Sequence, residues 1–263
     1  MIQYEKKELL LSVKDVSLSY GNKPILENIS FDIHNIVRPD VVQGQIFAIA
    51  GRSGSGKSSL FNMLSGYIKP NSGTIKIGVD QHDVKIGEMG MVPQTYPLFN
   101  HRTIYDNLAL SLTSQSGKEK IDTINSYADH FELSVQLKKY PCDLSGGQKQ
   151  RVSILQQVLA GNKLILLDEP FSGLDILMKN RIIELLLKVA NLDEMNTLII
   201  VSHDIESACA IADTVVILGK KQPDGITTVN KVYDFLKEDL AYRPHIKDIP
   251  RFREIIREIE TLM

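Results

Sequence analysis

The nine residues Gly51-Arg52-Ser53-Gly54-Ser55-Gly56-Lys57-Ser58-Ser59 restrict this chain more than any other stretch. They satisfy G-x-x-x-x-G-K-[ST], and they stand between a β-like run, Ile46 to Ala50, and a helix-like run, Ser58 to Gly66. Glycines without a Cβ let successive backbone N–H groups turn into one concavity, and the positive end of the following helix adds to it. Such a loop binds phosphate, with Lys57 reaching the β- and γ-phosphates and the Ser58 hydroxyl ligating Mg²⁺. A glycine-rich β-to-α turn with a chance lysine is the alternative, and the strand, loop and helix together argue against it.

A second signal is the apolar run Leu164-Ile165-Leu166-Leu167 ending in Asp168-Glu169. A buried strand that stops at acids places them at the carboxyl edge of a parallel sheet, where open α/β folds bind ligands. Asp168 there would hold Mg²⁺ through water, and Glu169 would polarise an attacking water. Read alone, the same ending could be a helix cap. From Gly147 onward strands and helices alternate: helix to Ala160, strand 164–167, helix 176–190, strand 197–201, helix 205–212 and strand 214–218. Continuous apolar strands between helices predict a parallel sheet covered on both faces.

Leu9 to Ile33 alternates apolar and polar residues around Gly21, Asn22 and Pro24, which predicts antiparallel strands, and Thr74 to Gly78 predicts another. His34 to Gln45 reads as a loop. From Thr95 to about Asp143 the spacing becomes helical, interrupted at Ser114 to Gly117, as in an inserted helical unit. Asp248 and Pro250 open a last helix whose Phe252, Ile255, Ile256, Ile259 and Leu262 share one face, as a docked or partner-binding helix would.

Leu144-Ser145-Gly146-Gly147-Gln148 makes the resemblance specific, because L-S-G-G-Q is the signature of ABC-family ATPases. A serine and two glycines opening a helix make a second anion site at a helix N-terminus. The resemblance covers about Leu9 to Leu218 and implies a head-to-tail dimer, in which Ser145 and Gly147 of one subunit close on ATP held at Lys57 of the other. It further implies that Tyr20, in Leu18-Ser19-Tyr20-Gly21, stacks on adenine. Gln94, in Val92-Pro93-Gln94, is implied to sense Mg²⁺ and the lytic water. Ser172 to Asp175 would carry communication between subunits, and His203, in Val201-Ser202-His203-Asp204, would contact the γ-phosphate. Three departures stand out: Ser59 where threonine is frequent, Ser153 to Leu159 in place of an Ala-Arg-Ala run, and a long 34–45 connection. None removes a catalytic group.

The resemblance therefore implies an α/β fold: a P-loop NTPase core with a mainly parallel sheet, an N-terminal antiparallel β subdomain and an inserted helical subdomain. It implies one domain over residues 1–263, with the helical subdomain at about 95–146 and a C-terminal helix at about 249–263. The expected catalytic residues are Glu169, His203 and Lys57. ATP would be bound by Tyr20, by Gly51, Arg52, Ser53, Gly54, Ser55, Gly56, Lys57, Ser58 and Ser59, by Gln94, and by Ser145, Gly146, Gly147 and Gln148, with Mg²⁺ on Ser58, Gln94 and Asp168.

Composition sets the setting. With 43% hydrophobic and 24% charged residues the chain has the makings of a globular core. Thirty Lys and Arg against 32 Asp and Glu give a net charge of −2 and no basic excess for nucleic acid. Two cysteines, Cys142 and Cys209, form no disulfide framework or C-x-x-C site. Met1 to Glu8 carries charges where a signal peptide needs an apolar core, and no run reaches the roughly 18 apolar residues of a membrane span. The expected partners are transmembrane permease subunits, a second ATP-binding subunit, and a substrate-binding protein, at the cytoplasmic face of the cell membrane. Pro141-Cys142-Asp143, the 202–208 run and the tail 243–262 are similar to importer subunits of the nitrate, sulfonate and taurine type. Pro97 to Thr103 would receive the coupling helix of a permease. A soluble ABC ATPase of DNA repair, translation or iron–sulfur assembly is the competing class; a monomeric P-loop kinase or GTPase leaves the signature unexplained.

Overall fold

The computed structural model describes residues 4–38, 43–220, 222, 225–243 and 245–263. Its strands are β1 (Glu5–Tyr20), β2 (Lys23–Val37), β3 (Gln45–Gly51), β4 (Ser72–Ile77), β5 (His82–Asp83), β6 (Gly90–Val92), β7 (Leu164–Asp168), β8 (Thr197–Ser202), β9 (Thr214–Lys220) and β10 (Thr227–Asp234). Its α-helices are α1 (Lys57–Leu64), α2 (Ile104–Ala109), α3 (Gly117–His130), α4 (Gly146–Leu159), α5 (Ile176–Ala190), α6 (Ile205–Cys209) and α7 (Pro250–Leu262).

All ten strands form one mixed sheet in the order β5-β4-β1-β2-β10-β9-β3-β8-β7-β6. The strands β9-β3-β8-β7-β6 run parallel, and β1, β2, β4 and β5 pair antiparallel. The expected antiparallel and parallel parts are thus real, and β10 joins them: it pairs antiparallel with β9 and touches β2 through Thr227 and Leu26.

The central strands are apolar throughout because both faces are covered. Along β3, Ile46, Ala48 and Ala50 enter one core while Phe47 and Ile49 enter the other, and β8 divides Leu198 and Ile200 from Ile199 and Val201 in the same way. The first core lies under α2, α4, α5 and α7; the second lies between α1 and the antiparallel strands. Ile199 is fully buried, so truncation to alanine there costs about 2–5 kcal/mol.

Several sequence expectations change. His34 to Val37 is not loop: it extends β2, with Ile36 opposite Lys6 and Val37 opposite Glu5, and residues 39–42 of the expected loop lie outside the described residues. The signal-peptide reading of 1–8 falls partly on residues 1–3, also outside them, while Glu5 onward is strand. Helix α6 ends at Cys209 rather than Ala212, which turns the chain so that Asp213 can reach Ile46 N–H before β9 begins. The final helix is docked, with Phe252, Ile255 and Ile259 buried and Phe252 edge-on to Phe235 at 6.2 Å. Among the described residues no helix is long and apolar enough to cross a membrane.

Candidate functional site

Three parallel strands end side by side and deliver the site. Strand β3 runs into the phosphate loop, β7 ends at Asp168, and β8 ends at Ser202 next to His203. Helix α1 begins at Gly56, whose φ of 81° is left-handed; a Cβ there would lie 2.8 Å from Leu26 Cδ2, so both backbone and packing demand glycine. No side chain caps this helix, and its first N–H groups are left for an anion.

Lys57 is buried and folds back over its own loop, donating to Gly51 O at 2.8 Å and Arg52 O at 3.1 Å. Its Nζ also lies 3.4 Å from Glu169 Oε1. Glu169 leaves the sheet with φ 49°, a left-handed conformation that costs a residue with a side chain of order 1 kcal/mol and that is held by its N–H bond to Val201 O at 2.8 Å. The two carboxylate oxygens face different neighbours. Oε2 accepts from Ser202 Oγ (3.2 Å) and His203 N–H (3.0 Å) and lies 2.7 Å from His203 Nδ1, whereas Oε1 faces Lys57.

Asp168 sits beside this pair. Burial and the neighbouring Glu169 charge raise its pKa above the ordinary carboxylate value, against the lowering effect of Lys57. Its Oδ1 is buried without a hydrogen-bond partner. Such an orphaned oxygen costs free energy unless a ligand meets it. No group of three or more His, Cys, Asp or Glu among the described residues could hold a metal alone, so a cation here needs oxygen ligands from bound phosphate and from Ser58, which is exposed at the start of α1. The residues present fit Mg²⁺ on those terms.

Around this centre stand the other expected residues. Gln94 is exposed just after β6 and donates to Ser172 Oγ at 3.3 Å. Arg52, Ser53 and Gly54 form the exposed outer part of the loop, and Ser55 Oγ is buried beneath it without a partner. Tyr20 is 52% exposed at the end of β1, its hydroxyl 3.4 Å from Ser59 Oγ, a ring with an open face.

The signature residues lie on a different element, the start of α4, which touches the segment after Glu169 through Gln150 donating to Pro170 O at 2.9 Å. Ser145 is the N-cap of α4: its Oγ accepts from Gln148 N–H at 3.4 Å, and Gln148 Oε1 accepts from Ser145 N–H at 3.0 Å. Ser145 and Gly146 are exposed, Gln148 is half-buried, and Gly147 is buried close to Met178.

Two participants were not visible in the sequence. Ser202 is fully buried and bonds the Glu169 carboxylate. The last turn of α7 walls the same edge: one cavity of about 480 Å³ lies between Arg52–Ser55 and Thr261–Met263, and another of about 260 Å³ is lined by Arg52, Ser53, His203, Ile205, Glu260 and Met263. A hydroxyl beside a histidine carried a signal in the Ser202-His203 pair; nothing local tied residues 260–263 to residue 52.

This fold and site define a P-loop nucleotide-binding domain of the ABC ATPase type. The chain belongs to the ABC transporter family, whose model matches residues 34–172, and ATP binding is implied by that membership. It is 34% identical over 240 residues to the sulfate/thiosulfate import ATP-binding protein CysA 2 of Rhizobium meliloti, covering 88% of this chain and 63% of that one. It is 31% identical over 242 residues to the sulfate/thiosulfate import ATP-binding protein CysA of Pseudomonas syringae, covering 88% and 71%. The chain thus matches less than two thirds of the length of the first relative and about seven tenths of the second. Among solved structures, cbiO1 from Clostridium perfringens, part of the ABC transporter complex cbiONQ, has a TM-score of 0.74 at 23% identity, with 97% of this chain and 96% of that one covered. That last likeness is one of fold.

Proposed function

We propose that this chain is the ATP-hydrolysing subunit of an importer, and that two such subunits pair head-to-tail on the inner face of the membrane, bound to separate permease subunits. The observation that carries it is the division of the site. Lys57, Asp168, Glu169 and His203 converge at one sheet edge, while the exposed anion-binding end of α4 at Ser145 stands elsewhere on the chain. In the head-to-tail reading that the signature implies, the α4 end that meets the terminal phosphate comes from another copy. The import relatives support transport inward; a soluble ABC machine has no comparable support. A substrate-binding protein would supply the cargo. We read residues 1–263 as one such domain, with the helical subdomain at about 95–146.

The chain's residues then act as follows. Lys57 exchanges the Gly51 and Arg52 carbonyls for the β- and γ-phosphates, guided by the loop N–H groups. Its departure frees Glu169 Oε1, while Oε2 stays fixed by Ser202 and His203, so one oxygen is oriented to accept a proton from water. Bound Mg²⁺, held by Ser58, Gln94 and Asp168, would neutralise charge on the transferring phosphoryl group. Tyr20 would stack on the adenine, and Ser145, Gly146, Gly147 and Gln148 of the second copy would close over the γ-phosphate. Loss of that phosphate removes the shared ligand and reopens the pair.

Purification of the tagged chain from detergent-solubilised membranes tests the assignment. Recovery with a multi-span protein, and ATP turnover that Lys57→Ala abolishes, is expected; normal turnover in that variant, or recovery with nucleic acid only, contradicts it.

A further inference from the structure

Beside His203, the Ser202 hydroxyl holds Glu169 Oε2, and that hydroxyl is bonded by Asp204, whose carboxylate pairs with Lys179 at the start of α5. Ser202 Oγ donates to Glu169 Oε2 at 3.2 Å and accepts from Asp204 N–H at 3.0 Å. Asp204 Oδ1 accepts from Ser207 N–H at 3.0 Å, capping α6, and its Oδ2 lies 2.5 Å from Lys179 Nζ. Burial alone would raise the pKa of Asp204, but Lys179 and the Ser207 amide hold it below the ordinary value, so the carboxylate is anionic at neutral pH. Lys179 belongs to the opening turn of α5, where its N–H donates to Asp175 O at 2.9 Å and Asp175 Oδ1 caps Met178 N–H at 2.8 Å.

The same helix start reaches Glu169 by a second route. Ser172 N–H donates to Glu169 O at 3.1 Å, and Ser172 Oγ takes the Gln94 amide at 3.3 Å. The 172–175 loop is thereby tied to the Glu169 main chain on one side and, through Lys179, Asp204 and Ser202, to its carboxylate on the other. Ile176 and Leu177, which follow the loop, are 78% and 74% exposed, so this helix start is open to whatever approaches it.

We propose that Lys179, Asp204 and Ser202 form a positioning relay that sets the Glu169 carboxylate according to the placement of the 172–175 loop. The inference rests on Glu169 being the group that orients water. A cap and a partly exposed ion pair with no such role would add a little stability and leave turnover untouched. In a relay, losing the Lys179 charge frees Asp204 to re-aim its N–H, Ser202 loses its fixed acceptor geometry, and the carboxylate drifts from the productive orientation.

The test is ATP turnover of the assembled transporter. Wild-type turnover and its collapse in Glu169→Gln come first and examine the underlying reading by themselves. Given those, Lys179→Met is expected to lower kcat about 10-fold with KM for ATP within about 2-fold, and Lys179→Arg to restore most of the rate. Combined with Glu169→Gln, Lys179→Met is expected to add no further loss in single-turnover rate, because both act on one group. An unchanged kcat in Lys179→Met, a loss that simply multiplies with that of Glu169→Gln, or a thermal unfolding shift large enough to account for the lost activity would overturn the relay.

Discussion

The two ends of the parallel sheet both bury charge, and they treat it in opposite ways. At the amino ends, Arg38 pairs with Asp213 and donates to Gly44 O, with its guanidinium 4.4 Å over the Tyr242 ring. Asp213 Oδ2 takes Ile46 N–H and lies 2.8 Å from the Tyr242 hydroxyl, so both carboxylate oxygens are occupied. At the carboxyl ends, Lys57 rests on carbonyls of its own loop, Asp168 Oδ1 has no partner, and α1 starts without a cap. At the amino ends the carboxylate is satisfied on both oxygens and locks three segments together, although Arg38 Nε is buried without a partner. At the carboxyl ends the open groups are a carboxylate oxygen of Asp168 and the uncapped first N–H groups of α1, which a cation and an anion respectively would satisfy.

The largest effect that separates the ends is on stability. Arg38→Met leaves a buried carboxylate without its counter-ion and is expected to lower unfolding free energy by about 3–5 kcal/mol in urea titrations, with ATP affinity of the folded fraction unchanged. Unaltered stability would mean the amino end is not a lock. At the other end, Glu169→Gln is expected to leave ATP binding intact and cut kcat by about 10²-fold or more. It should also trap an ATP-dependent dimer on a sizing column; a monomer under those conditions would count against a shared site. Tyr20→Ala should weaken ATP about 10-fold and Tyr20→Trp should hold affinity within a few-fold, as stacking on an open ring face predicts. Equal losses in both would point to packing instead.

The smallest effect is a pH slope. Burial pushes Asp213 from an ordinary 3.8 up to about 6 in spite of Arg38 and the Ile46 amide. The folded chain therefore holds that proton more tightly than the unfolded one, and the stability it confers is present below about 4 and lost as pH rises through about 6. Against Asp213→Asn, the wild-type advantage should shrink across that window and stay flat above it. A growing advantage would place the Asp213 pKa below its ordinary value.

The same contrast explains what could be read from sequence. The phosphate loop, the 164–169 strand and the α4 opening are legible because each depends on a few consecutive residues with fixed backbone demands, such as Gly56 at positive φ. Helix α5 runs Ile176–Ala190, as its spacing predicts. Strand β10 has no local signal: Thr227 to Asp234 has no apolar run, and its mixed burial follows from pairing with β9 and, at one residue, β2. The extension of β2 through Val37 depends on β1 lying opposite, not on its own pattern. Arg38 and Asp213 are 175 positions apart, so their pairing has no local signature. At the site, Lys57, Glu169 and His203 meet as the motif order anticipates, whereas Ser202 and the α7 terminus join them only through the tertiary arrangement.

The central claim is that each phosphate site is completed by a second copy. Determining the structure of Glu169→Gln with ATP, in the intact assembly, measures it directly. Ser145 of one copy is predicted to lie within hydrogen-bond distance of the terminal phosphate held by Lys57 of the other. Fully bound ATP with every Ser145 facing solvent would contradict it.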